Sequence, residues 1–151
     1  MSSVTVNLPS NYTWVVASIF SIVPVLQLQT SLVVKARKKA GIRYPQLYAE
    51  KAEQEASKDA RIFNCAQRAH QNTLENVPSM VLSTLISAIH YPTYAAIGCG
   101  IWSFSRVLYA MGYSTGDPRR RSFGAYSSLG VQALMGLLAG KVVFDLIRAG
   151  V

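Results

Sequence analysis

Hydrophobic positions along this chain fall in long blocks instead of alternating with polar ones. The first block runs from Thr13 to Val34, and no charged residue occurs before Lys35. Further uncharged stretches run from Asn76 to Ser105 and from Ser122 to Gly140. A bilayer core of about 30 Å needs about 20 apolar residues in a helix. The first block meets that length, and so does Phe123 to Gly140 extended past Lys141 to Ile147. The middle stretch is too long for one helix and holds a turn signal, Tyr91-Pro92-Thr93. Splitting it there gives two helices joined as a tight antiparallel hairpin. The pattern therefore predicts an all-α membrane protein, a four-transmembrane-helix bundle forming a single domain over 1–151. Its helices are expected over 12–37, 60–90, 94–115 and 119–148.

Composition agrees with this pattern. Half of the 151 residues are hydrophobic, only 15 % are charged, and the net charge is +8. A soluble domain carries about 25 % charged residues. The hydrophobic content excludes disorder, and basic residues beside long apolar runs do not describe a soluble nucleic-acid binder. Cys65 and Cys99 make neither a disulfide framework nor a zinc set, so no metal is expected. The first block lacks a positive n-region and exceeds a usual signal-peptide core, so it reads as a span. The sequon Asn11-Tyr12-Thr13 lies too near the membrane edge to be expected to carry a glycan.

The charges that remain are segregated. Lys35 to Arg61 holds eight Lys/Arg against four Asp/Glu, and Asp117 to Arg121 nets +2. By the positive-inside rule both loops face the cytoplasm and both termini face the lumen or exterior. Glu50 to Asp59 reads as a solvated helical insertion without an assigned role.

The second helix is the informative one. Asn76 to His90 is 15 residues, about 22 Å at 1.5 Å per residue. To span the core it must draw on upstream residues that include Glu75, Asn72 and Arg68. Ionisable groups at membrane depth cost several kcal/mol unless paired or wet, which makes them functional candidates. Arg68, Asn72 and Glu75 share one helical face, and Asn64 extends it by a turn. On the third helix Arg106, Tyr109 and Tyr113 form a matching set. Both sets lie at the cytoplasmic ends, where Lys35 to Lys39 closes the first helix and Arg119 to Arg121 opens the fourth.

These residues predict a mostly cationic site at the cytoplasmic membrane border. Its ligand would carry more than one carboxylate or phosphate for the guanidinium forks, plus a cationic group for Glu75. Glutathione has those features. Blander readings exist for the same residues: basic flanks as topology signals and anionic-lipid contacts, an Arg–Glu pair as a tie between helices, and tyrosines as interface belt. Cys65 and Cys99 read as packing residues, and His90 as a lumenal cap.

The segment Phe63-Asn64-Cys65-Ala66-Gln67-Arg68-Ala69-His70-Gln71-Asn72-Thr73-Leu74-Glu75 resembles the signature of the MAPEG family, membrane-associated proteins of eicosanoid and glutathione metabolism. The resemblance extends to Ala36-Arg37-Lys38-Lys39 with Tyr44-Pro45, to Arg106 through Tyr113, and to Thr115-Gly116-Asp117-Pro118. It implies a homotrimer with glutathione between subunits on the cytoplasmic side. It implies a glutathione transferase or glutathione peroxidase acting on hydrophobic electrophiles and lipid hydroperoxides, including conjugation of the leukotriene-synthesising kind. Arg68, Asn72 and Glu75 match residues that bind glutathione in relatives. Arg37 and His70 match further contacts, Lys38 stands among the glutathione-binding candidates where relatives have an arginine that assists the thiolate, and Arg106, Tyr109 and Tyr113 match the opposite wall. Location in the endoplasmic reticulum, with the outer mitochondrial membrane and nuclear envelope as further membranes, follows from the same resemblance.

A thiol of pKa about 8.5 is mostly protonated at neutral pH, and a nearby guanidinium favours the thiolate. In relatives an arginine at the start of the fourth helix serves this role. Spacing from Gly112-Tyr113 makes Arg120 its counterpart, and a one-residue gap would make it Arg121. The sequence departs from the family after Glu75, where relatives carry a tyrosine and this chain continues Asn76-Val77-Pro78. Two other classes compete: a non-catalytic lipid-presenting scaffold of the same family, and a small channel, whose polar residues would line a pore at mid-depth.

Overall fold

The computed structural model describes residues 10–150. The sequence expectations for the uncharged N-terminal tail, 1–9, and for Val151 fall outside the described residues. Six α-helices are present: α1 (Tyr12–Phe20), α2 (Ile22–Ala40), α3 (Lys51–Ala56), α4 (Lys58–Ala88), α5 (Pro92–Tyr113) and α6 (Ser122–Ala149). A 3-10 turn, Pro118–Arg121, leads into α6.

The helix expected over 12–37 is broken at Ser21. Pro24 has no N–H to offer the carbonyl of Phe20 four residues earlier, and its ring crowds that carbonyl. The Ser21 N–H turns to the Ala17 carbonyl at 3.0 Å, and its hydroxyl donates to Ser103 Oγ on α5 at 2.8 Å. Beyond the break α2 runs to Ala40 and ends at Gly41, whose φ of +70° is the left-handed conformation that glycine adopts freely.

The charged insertion folds as the short, exposed α3, opened by a reciprocal cap between Glu50 and Glu53. Ser57 then accepts the Ala60 N–H and starts α4 at Lys58. Pro92 occupies the first turn of α5, where its missing N–H costs nothing.

The α1–α2 rod and α6 lie on opposite sides of the α4–α5 hairpin. Trp102, Met80, Val15, Cys99 and Met135 form the main core. A second core around Phe63 lies beneath the 41–49 loop. Two glycines bring the start of α6 hard against α5. A Cβ at Gly124 would collide with the Tyr109 backbone, and one at Gly112 with the Arg120 backbone. Buried Gln29 ties three helices: its Nε2 donates to Thr73 Oγ1 at 3.1 Å and to the Arg106 carbonyl at 3.3 Å.

The outside of the bundle is apolar. Leu137 is 72 % exposed, and Phe20, Leu82, Phe104, Leu134 and Ile147 are exposed with it. Water does not favour such a surface, whereas lipid does. Two helical stretches are long and apolar enough to cross a membrane, Tyr12–Ala40 and Pro118–Ala149. The first half of α4 is charged and α5 carries Arg106, so neither stands out by composition.

Candidate functional site

The C-terminal ends of α2 and α5 and the N-terminal ends of α4 and α6 meet at one end of the bundle, which gathers the basic residues. There α4, α5, α6 and the 118–121 turn enclose a cleft of about 580 Å³. Its polar wall includes Asn72, Asn76, Arg106, Tyr109, Arg119 and Arg121; Ala125, Tyr126 and Leu129 supply an apolar wall on α6.

Arg106 sits at the centre. It is 4 % exposed, and its guanidinium lies 5.2 Å from the Trp102 ring and 5.1 Å from the Tyr109 ring. Nη1 donates to Asn72 Oδ1 at 3.0 Å, joining α5 to α4. Nε has no hydrogen-bond partner among the described residues. Among the described residues no carboxylate pairs with it. A buried cation without an anion is expensive, and this one borders an open cleft.

Tyr109 is buried and meets Tyr113 edge to face at 5.8 Å. The Arg121 guanidinium covers the Tyr113 ring at 4.5 Å, which holds it at the cleft. Arg120 points elsewhere: it is 68 % exposed, and its Nε is 3.8 Å from Asp117 Oδ2.

The other sequence candidates divide. Arg68 and Glu75 pair at 3.4 Å, each about half exposed, and do not line the cleft of their own chain. The shared face read from sequence thus splits between Asn72, turned to Arg106, and an outward ion pair. Arg37 is buried between the rings of Tyr44 and Phe63 and donates to the Gln46 and Leu47 carbonyls. Its guanidinium shapes the 41–49 loop. Asn64 does similar work, binding both the N–H and the carbonyl of Ala49. Lys38 is exposed with Lys35 and Lys39 along a separate groove that includes Leu32, Ile62 and Ser114. His70 is half-buried on α4, its Nδ1 unpartnered, and does not line the cleft.

Sequence reasoning missed an amide network deeper in the cleft. Trp102 Nε1 donates to Gln132 Oε1 at 3.0 Å. Gln132 Nε2 donates to Asn76 Oδ1 at 3.1 Å and to Ser79 Oγ at 2.6 Å. Gln29 was missed as well. Amides inside uncharged runs are the available signal, because an amide in hydrocarbon is costly unless hydrogen-bonded, though less so than a charge.

Among the described residues no cluster of three or more His, Cys, Asp or Glu could hold a metal ion. Residues 13–141 match the model of the MAPEG family.

Proposed function

Since the chain belongs to the MAPEG family, whose members include glutathione-dependent enzymes and non-enzymatic proteins, we propose that it is a membrane-bound glutathione transferase and glutathione-dependent peroxidase. Within the family the segment from Phe63 to Glu75 resembles that of microsomal glutathione transferase type 3. One observation carries the reading: Arg106 is a buried cation without a carboxylate, open to a cleft whose rim adds Arg119 and Arg121. That arrangement calls for an anionic ligand with more than one acidic group.

The guanidinium of Arg106 at the cleft and the amide of Asn72 suit a glutathione carboxylate and peptide group. Arg121, fixed on Tyr113, adds a second anion contact. Bound glutathione supplies a thiolate, which attacks an electrophilic carbon to form a thioether. That carbon's bond to a leaving group or epoxide oxygen breaks meanwhile, the departing atom keeping the electron pair and taking up a proton. With a second glutathione it reduces a hydroperoxide to alcohol and water, leaving glutathione disulfide.

Arg120 has the spacing of the relatives' thiolate-stabilising arginine. Its exposed side chain, held only by Asp117, is free to serve a cleft completed by a neighbouring subunit. Arg68 and Glu75 face outward in the same way. Both suit the homotrimer of the family, with glutathione at subunit boundaries and Glu75 taking its ammonium group. Arg37, Lys38 and His70 would then contribute from the rim or through the 41–49 loop. The lipid substrate enters from the bilayer along the apolar α6 wall. The basic end faces the cytoplasm, four helical stretches cross the bilayer, and the membrane is that of the endoplasmic reticulum.

Equilibrium binding tests this. The purified protein should bind glutathione at millimolar concentration or below, with Arg106→Ala and Glu75→Gln each raising the dissociation constant about tenfold or more. Absence of binding at millimolar glutathione would leave the lipid-presenting scaffold in its place.

A further inference from the structure

The 41–49 loop is held more firmly than a simple link between α2 and the charged insertion requires. Arg37 of α2 is 7 % exposed, with its guanidinium 4.3 Å from the Tyr44 ring and 4.4 Å from the Phe63 ring. It donates to the Gln46 carbonyl at 2.6 Å and reaches the Leu47 carbonyl at 3.5 Å. Asn64 of α4 accepts the Ala49 N–H at 2.7 Å and donates to the Ala49 carbonyl at 2.9 Å. Two side chains from two helices thus clamp the backbone immediately before and after Tyr48. Burying a guanidinium is costly, and what this one achieves is the placement of Tyr48.

Tyr48 reaches the face of α4 that carries Arg68 and Glu75. Its hydroxyl donates to Gln71 Oε1, and its oxygen lies beside the Arg68 guanidinium. A phenol next to a cation accepts there and gives its proton elsewhere, which is the sense of the bond to Gln71. Arg68 is therefore flanked by Glu75, at 3.4 Å, and by Tyr48. Gln71 has its oxygen occupied, while its amide N–H groups have no acceptor among the described residues. Arg68, Gln71 and Glu75 stand at i, i+3 and i+7, on one helical face. A cation, an amide and a carboxylate so close together match an α-amino acid, whose carboxylate and ammonium share one carbon.

The inference rests on the glutathione reading given above, in which Glu75 takes the ammonium of the γ-glutamyl end. We propose that Tyr48 is a positioning residue of that site. It sets the Arg68 guanidinium and the Gln71 amide for the carboxylate beside that ammonium. Arg37 and Asn64 serve the site only through Tyr48, so Arg37 supports anion binding without touching the ligand.

The test compares two peptides by equilibrium binding to the purified full chain. One is glutathione; the other is 4-aminobutyryl-cysteinyl-glycine, which keeps the ammonium and lacks the carboxylate beside it. The wild type should bind glutathione about tenfold more tightly, the worth of hydrogen bonds to a charged group. Tyr48→Phe retains the ring and removes the hydroxyl. It should cut that ratio about threefold or more, with affinity for the second peptide within about twofold of wild type. Arg37→Ala should do the same, and adding it to Tyr48→Phe should lower the ratio no further. If Arg37→Ala does not fold, Tyr48→Phe decides alone. Equal affinities in the wild type, or a ratio unchanged by Tyr48→Phe, overturns the proposal. So does an equal loss of affinity for both peptides, which marks a purely structural role. A further fall in the double variant would give Arg37 a ligand contact of its own and overturn its part. Glutathione binding with no effect of Tyr48→Phe leaves the transferase reading standing. A wild type that binds neither peptide defeats that reading and this one with it.

Discussion

Arg106 gives up most of its hydration, and the protein returns only one hydrogen bond and two aromatic faces. Among the described residues Asn72 is the sole polar side chain bonded to that guanidinium. Asn72→Ala should lower stability by about 1–3 kcal/mol, the cost of stranding a buried donor, and should weaken glutathione binding with it. Denaturant or thermal unfolding in detergent measures the first effect; an unchanged midpoint would mean that Arg106 is solvated through the cleft. Both residues were legible in the sequence because they interrupt a helix that must reach into lipid. The Asn76–Gln132 network was not legible: an uncharged amide in an uncharged run raises no alarm, and their meeting depends on how α4 and α6 pack. Arg37 shows the opposite limit. Its type and position suit anion binding, yet its partners are carbonyls of a loop whose path the sequence does not disclose.

At the scale of elements, the charge-free blocks mark where long helices can form, and the Tyr91-Pro92-Thr93 turn falls between α4 and α5. The break at Ser21 follows from Pro24, a residue that the length argument alone passes over. Closeness between α5 and α6 depends on Gly112 and Gly124, which leave no room for a side chain. Gly124→Ala should force α6 away from the Tyr109 backbone at a cost of about 1–3 kcal/mol. Because Arg119, Arg120 and Arg121 are carried on the turn just before, activity should fall further than stability does. Steady-state rates set beside unfolding midpoints check this. Full activity in the variant would show that the start of α6 need not be held so tightly.

The whole molecule joins an apolar exterior to one strongly basic end. Two of its helical stretches declare themselves as spans by composition. The α4–α5 hairpin is carried between them by packing; of its charged side chains Arg106 lines the cleft, and Arg68 and Glu75 pair on the outside. Membrane character and the basic end were therefore plain from the sequence. Assembly was not, since a single chain leaves Arg68, Glu75 and Arg120 facing outward. The central claim is that this end holds glutathione as a thiolate against an arginine. The most direct measurement is the ultraviolet difference spectrum of the purified protein on adding glutathione near neutral pH. A thiolate absorbance should appear in the wild type, vanish in Arg120→Ala with glutathione still bound, and persist in Arg121→Ala at a raised glutathione concentration. A wild type that binds glutathione without any thiolate band would contradict the account.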